Sequence, residues 1–222
     1  MLVERWVDTV KGEPMTRTTY ASTQRIILPG IRWCTYQSLL TDMVDSHAVH
    51  MTYDQGMLEL MAPSYPHEQY NRVLAMIVEA IALAKGCDLH PAGSTTFTRE
   101  DIARGFEPDS CFYLEHASDV RGKHAIDLRI DPPPDLVIEI DITHPSLDKF
   151  QLYAAVGVPE VWRFEGQRVT IYHLNGPSYT RGDTSVVLPP VTDQQLTEWM
   201  HQQRDLPYPQ WFQGIQEHVR SS

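Results

Sequence analysis

The chain has 222 residues, 42% hydrophobic and 21% charged, the balance of a folded globular protein with room for one good-sized domain. Its formal net charge of −11, from 18 basic and 29 acidic residues, excludes broad nonspecific binding to phosphate backbones and leaves open only a local cationic groove. No apolar run is long enough to span a bilayer, and the first residues lack the basic-then-apolar pattern of a signal peptide. Three cysteines (Cys34, Cys87 and Cys111) make an odd count with no CxxC pair. Buried thiols in a reducing, cytoplasmic setting are therefore expected, with no membrane partner.

Residues 1–24 are polar and aperiodic and read as an N-terminal arm. Arg25–Leu28 reads as a short edge strand stopped by Pro29-Gly30, and Thr35 as the cap of a helix over Tyr36–Val44. Ala48–Tyr53 and Met57–Met61 form a predicted hairpin around Asp54-Gln55-Gly56. Ser64 and Pro66 then open a long helix. Its apolar stripe is Tyr70, Val73, Leu74, Ile77, Ile81 and Ala84, and Gly86 is its C-terminal cap. Short strands are expected near Asp88–His90, Ser94–Thr98 and Asp109–Leu114. The polar stretch Arg121–Asp131 reads as a loop or a ribbon. Pro145–Val156 predicts a helix broken by Gly157-Val158-Pro159. Glu160–Phe164 and Arg168–Leu174 predict a second hairpin, and Asp193–Gln203 and Gln210–His218 two closing helices. With no repeat and no linker, one α/β domain is the simplest organisation.

The most informative stretch follows three prolines, Pro132-Pro133-Pro134. Leu136, Ile138, Ile140 and Ile142 alternate with Asp135, Val137, Glu139 and Asp141. As a strand, this run puts an unbroken apolar face on one side and up to three carboxylates on the other. Buried carboxylates need partners, and a hard cation such as magnesium, calcium or manganese is one solution. An antiparallel strand with one solvated face is the other, and the strand alone leaves both open.

Three groupings could carry chemistry. Asp109 opens the Cys111–Leu114 strand and could share a cation with Glu139, although an aspartate after proline is also an ordinary turn residue. Lys149, in the helix after the acidic strand, shares a helix side with Leu152, Tyr153 and Val156. It could place a water or offset phosphate charge, or simply extend its amine to solvent. Glu59, His67 and Glu68 form the third. Glu68 is best read as a complement to the helix dipole, and His67 as a cap or a phosphate contact. His47 and His50, three apart in an extended stretch, face opposite ways and make a poor metal pair. Walker A, GxGxxG, GxSxG and HExxH patterns are absent.

Several blocks together resemble the Uma2 family of restriction-endonuclease-type proteins. They are Tyr53–Pro63, His67-Glu68, Gly93-Ser94-Thr95-Thr96, Arg104–Asp109, Pro134–Asp141, and Lys149 followed by Tyr153 and Gly157–Trp162. They run from roughly Gly30 to Leu188. The resemblance implies an α/β, restriction-endonuclease-like fold of the PD-(D/E)xK superfamily. It is a mixed sheet flanked by helices, with an N-terminal hairpin and C-terminal hairpin and helix extensions. Residues 25–190 would form the nuclease-like domain and 191–222 a helical extension packed on it. It further implies metal-dependent hydrolysis of DNA by metal-activated water, with Mg²⁺ or Mn²⁺ as cofactor and a homodimer by analogy. Asp109 and Glu139 match the acids of the family pattern, Glu59 the acid before the long helix, and His67 the histidine at its start. Position 141, where the superfamily pattern has lysine, holds Asp141. Lys149 takes the lysine role, and Asp141 becomes a further metal ligand or a partner of Lys149. An inactive nuclease-fold binding protein and a metal-independent two-carboxylate hydrolase are the alternatives.

Overall fold

The computed structural model describes residues 23–43, 49–142 and 147–221. Of the expectations above, most of the N-terminal arm, the helix end at Val44, the strand start at Ala48, His47 and the helix start at Pro145 lie outside the described residues.

The first half builds one sheet. Strands β1 (Gln24–Pro29), β2 (His50–Asp54) and β3 (Met57–Ala62) join β5 (Phe97–Arg99) and β6 (Arg104–Phe106) in the antiparallel order β1-β3-β2-β6-β5. The β2–β3 hairpin forms as predicted. Its two tip residues, Gln55 and Gly56, both have positive φ (46° and 103°), which matches the twist of a two-residue hairpin. Helix α1 (Trp33–Asp42) starts earlier than expected. Arg32, not Thr35, is its N-cap and makes no side-chain cap bond. Packing overrides capping here: Tyr36 is fully buried and stacks on Tyr53 at 5.0 Å, with Trp33 5.3 Å from Tyr36.

Helix α2 (Tyr65–Lys85) follows. Ser64 accepts from the His67 amide, Pro66 lies in the first turn, and Gly86 closes the helix at φ 66°. The second sheet comprises β4 (His90–Gly93), β7 (Ser110–Tyr113), β8 (Leu136–Ile140), β9 (Glu160–Phe164), β10 (Val169–Asn175) and β11 (Ser178–Gly182). Its order is β11-β10-β9-β8-β7-β4, and only β8 and β9 run parallel. The remaining helices are α3 (Ala117–Val120), α4 (Lys149–Val156), α5 (Asp193–Gln202) and α6 (Tyr208–Ser221). Strands β6 and β11 carry no pattern that predicts them. The first is three residues long with a central glycine, and the second is a largely exposed edge. The stretch 121–131 is a turn-rich loop rather than a ribbon.

Strand β8 is the centre of the molecule, hydrogen-bonded on both edges and buried along its whole length. Leu136, Ile138 and Ile140 pack on Val73, Leu74, Ile77 and Ile81 of α2, together with Trp211 and Ile215 of α6. Each such side chain contributes roughly 1.5–3 kcal/mol when taken fully from water. On the opposite face Val137 packs with Leu152 and Tyr153 of α4 and with Phe97 and Phe106 of the first sheet. The solvated face allowed for this strand is therefore absent: α4 and the first sheet cover it. The thiols also differ from expectation, since Cys34 and Cys87 are exposed and only Cys111 is buried, all three being free. No helix among the described residues is long and apolar enough to cross a membrane.

Candidate active site

The chain leaves the first sheet at Phe106 and enters the second at Ser110, and the short link Glu107-Pro108-Asp109 carries it across. Glu107 fixes this link by accepting from the Met51 amide at 2.9 Å and from Thr96 Oγ1 at 2.6 Å. Asp109 is thereby delivered to the edge of β8. Its Oδ2 accepts from the Ile140 amide at 2.7 Å, which sets its carboxylate against the residue that follows Glu139.

Two helices grip the two acids in the same way, each with residues one turn apart on one face. From α2, His67 Nε2 lies 3.2 Å from Asp109 Oδ2, and Asn71 Nδ2 donates to the Asp109 carbonyl at 2.9 Å. From α4, Lys149 Nζ donates to both Glu139 oxygens, at 3.1 Å and 2.9 Å, and Tyr153 Oη donates to Glu139 Oε1. Lys149 also reaches the Glu107 carbonyl at 3.4 Å. Asp109 is 2% exposed and Glu139 9%. Burying an unpaired carboxylate costs several kcal/mol, so partners of this kind are obligatory rather than ornamental.

The same neighbours set the protonation states. Burial would raise the Asp109 carboxyl, but His67 beside it and the Lys149 charge outweigh burial and hold it at about 2. Burial would lower His67, yet Asp109 and Glu68 lift it to about 9. Burial pushes Glu139 above the ordinary carboxylate value, with Lys149 opposing. It would lower Lys149, but Glu139 and Asp109 keep its amine above the usual value. Burial also pushes the Tyr153 phenol far up, so it remains a donor.

Of the other expected residues, Glu59 is buried in β3 and accepts from the Leu147 amide at 2.9 Å, tying down the approach to α4. Glu68 is half exposed, in the first turn of α2. Asp141 pairs with neither Lys149 nor the two acids: Arg163 of β9 holds its Oδ2 at 2.5 Å. Sequence reasoning missed Tyr153 as a Glu139 partner, Asn71, and His50. His50 Nδ1 lies 3.8 Å from Asp109 Oδ1, and burial lowers this imidazole. The sequence puts Tyr153 four residues after Lys149 and within the family blocks, but gives no sign that its partner is Glu139.

The oxygens that a hard divalent ion would use are those of Asp109 and Glu139, and both Glu139 oxygens are taken by Lys149 and Tyr153. Asp109 Oδ1 is buried and makes no hydrogen bond among the described residues, so one carboxylate oxygen is available. No group of three or more His, Cys, Asp or Glu among the described residues is arranged to hold a metal. A magnesium-type ion, which keeps several waters and takes one or two carboxylates, suits such a sparse set better than a zinc-type ion. A cleft of about 310 Å³ opens beside Glu139 and Lys149.

No curated protein matches the chain. Among solved structures, it is similar to a protein from Anabaena variabilis titled "putative nuclease belonging to DUF820". The identity is 15% and the TM-score 0.47, over 68% of this chain and 90% of that one. The model of the Uma2 family, described as "Putative restriction endonuclease", matches residues 33–207, and the chain belongs to that family.

Proposed function

We propose that the protein is a nuclease that hydrolyses phosphodiester bonds of DNA with Mg²⁺ or Mn²⁺ held by Asp109 and Glu139. The observation that carries this reading is the meeting of Asp109, Glu139, Lys149 and His67 from four separate segments, with Glu139 and Lys149 lining an open cleft. When bound, the ion supplies charge neutralisation on the phosphoryl oxygens and a more acidic water. Lys149, cationic and anchored on Glu139, orients the attacking water and offsets charge that builds on the phosphate. His67, held protonated by Asp109, adds a second positive charge behind the acids. Tyr153 keeps the Glu139 carboxylate in one orientation. Glu59 fixes the segment from which Lys149 projects. By analogy with restriction-type cutting of both strands of a duplex, the reading includes a homodimer.

The test is incubation of plasmid DNA with purified protein in Mg²⁺, Mn²⁺ or EDTA, with ion binding followed by titration calorimetry. Cleavage in either metal, lost in EDTA and in Glu139→Gln, is the expected result. Intact DNA with no ion binding overturns it. Cleavage that survives EDTA would instead identify a metal-independent hydrolase. The occupation of both Glu139 oxygens by Lys149 and Tyr153 favours a second reading, a nuclease fold that binds DNA without cutting it. That reading predicts DNA binding without cleavage, unchanged in Glu139→Gln.

A further inference from the structure

The Asp141–Arg163 pair lies outside the acid–lysine constellation, yet it lines the same cleft. Strands β8 and β9 run parallel with Glu139 beside Arg163 in register, so both side chains leave the sheet on the same face. Asp141, two residues after Glu139, shares that face. Arg163 is held from three sides. Its Nη2 donates to Asp141 Oδ2 at 2.5 Å, its Nε lies 3.6 Å from Glu165, and its guanidinium sits 5.8 Å over the Phe150 ring. Among the described residues its Nη1 carries no hydrogen bond, and the side chain is 30% exposed, while Asp141 is only 13% exposed. Arg25 and Lys149 line the cleft as well.

A surface ion pair that served stability alone would gain little and has no need of a ring beneath it. A guanidinium held by a carboxylate and a ring at the wall of a cleft, with donors left over, is a preorganised donor site for a phosphate. Arg163 starts level with Glu139 and reaches to Asp141, one residue past the end of β8, so its guanidinium and the Lys149–Glu139 pair are neighbours lining one cleft.

We propose that Arg163, positioned by Asp141, binds the backbone phosphate next to the one cut. This rests on the nuclease reading and adds to it a group that fixes the register of the strand in the cleft. Asp141 is on this account an arginine anchor rather than a metal ligand.

The test compares the unaltered protein with Arg163→Ala, Arg163→Lys and Asp141→Asn. A labelled oligodeoxynucleotide duplex is titrated in EDTA at several salt concentrations, and single-turnover cleavage is followed in Mg²⁺. Arg163→Ala should weaken binding about tenfold and reduce the slope of log affinity against log salt by about one. Arg163→Lys should restore the slope but not the full affinity, because an ammonium replaces the charge and not the fork. Asp141→Asn should keep the slope and lose affinity a few-fold. A purely structural pair would instead lower the melting temperature of all three variants and leave the salt slope unchanged, which overturns the proposal. Binding by the unaltered protein with an unchanged slope in Arg163→Ala defeats this assignment alone. Absence of both binding and cleavage in the unaltered protein defeats the nuclease reading with it.

Discussion

Tyr153 donates its phenol proton to Glu139 Oε1, the same oxygen that Lys149 reaches at 3.1 Å. One helical turn thus delivers a charged and a neutral donor to one buried carboxylate. Tyr153→Phe keeps the ring in the core and removes only the hydroxyl. The loss should be about 1–3 kcal/mol, because an acceptor in a buried site goes under-satisfied. It should also move the pH profile. Glu139 already lies above the ordinary carboxylate value through burial, and losing a donor to its ionised form raises it further. The acid limb of the proposed nuclease activity should shift to higher pH. Thermal melting and a pH–rate profile check the two effects separately.

Gly105 sits in β6 against Tyr36 of α1, and a Cβ at this position would overlap the Tyr36 ring, with Cε1 at 2.6 Å and Cζ at 2.7 Å. Tyr36 has no room to retreat, being fully buried and stacked on Tyr53. Gly105→Ala should therefore destabilise by about 1–3 kcal/mol through overpacking. Tyr36→Phe in the same background should recover only part of this, since the ring carbons still collide. Urea denaturation of the unaltered protein and the two variants measures it.

The parts of this molecule that sequence reading recovers are those written in local pattern. The β8 run, the Asp54–Gly56 hairpin and α2 with its serine cap and terminal glycine each carry their own periodicity and punctuation. Glu139 stands out because an acid in a core strand demands an explanation, and Asp109 and Lys149 gain meaning only beside it and through the family resemblance. His50 and His47 face opposite ways in an extended stretch and make a poor metal pair, and nothing local to His50 points to Asp109, the carboxylate that the link between the sheets brings to it. Asn71 looks like any polar residue on an exposed helix face until the Asp109 carbonyl is placed beside it. The superfamily pattern makes Asp141 a metal ligand or a partner of Lys149, but its partner Arg163 lies on the neighbouring strand, and strand adjacency is not encoded in either segment alone. The start of α1 departs from the Thr35 cap for a related reason: three aromatic rings in tertiary contact outweigh a capping preference worth about 1 kcal/mol.

A pH effect independent of the site should come from His116. Its Nδ1 sits 2.5 Å from Asp135 Oδ1, and this hydrogen bond holds the imidazole above its ordinary value, with slight burial opposing. A group that binds its proton more tightly when folded adds stability that is fully present below its unfolded pKa of about 6.5. That contribution is lost as pH rises through the higher folded value. Melting temperature should thus fall across this window, and His116→Gln should flatten the curve there without altering cleavage at fixed pH. An unchanged curve in the variant would show that the pair contributes nothing to stability.

The sharpest separation of folding from chemistry lies in the Lys149–Glu139 pair. Lys149→Met fills the same volume but leaves Glu139 buried without its cation, and breaking such a pair costs about 3–5 kcal/mol. Glu139→Gln leaves the lysine in the same position and should cost a comparable amount. Combining them leaves neither charge stranded. The double variant should therefore be much more stable than the sum of the two losses predicts, by a coupling of about 1–3 kcal/mol. Cleavage, by contrast, should be absent from all three, because the proposed chemistry needs both groups and not their mutual neutrality. Urea denaturation and a plasmid assay on the same four proteins give both readouts. Additive stability losses would mean that other groups hold each charge, and cleavage returning in the double variant would remove Lys149 and Glu139 from the reaction altogether.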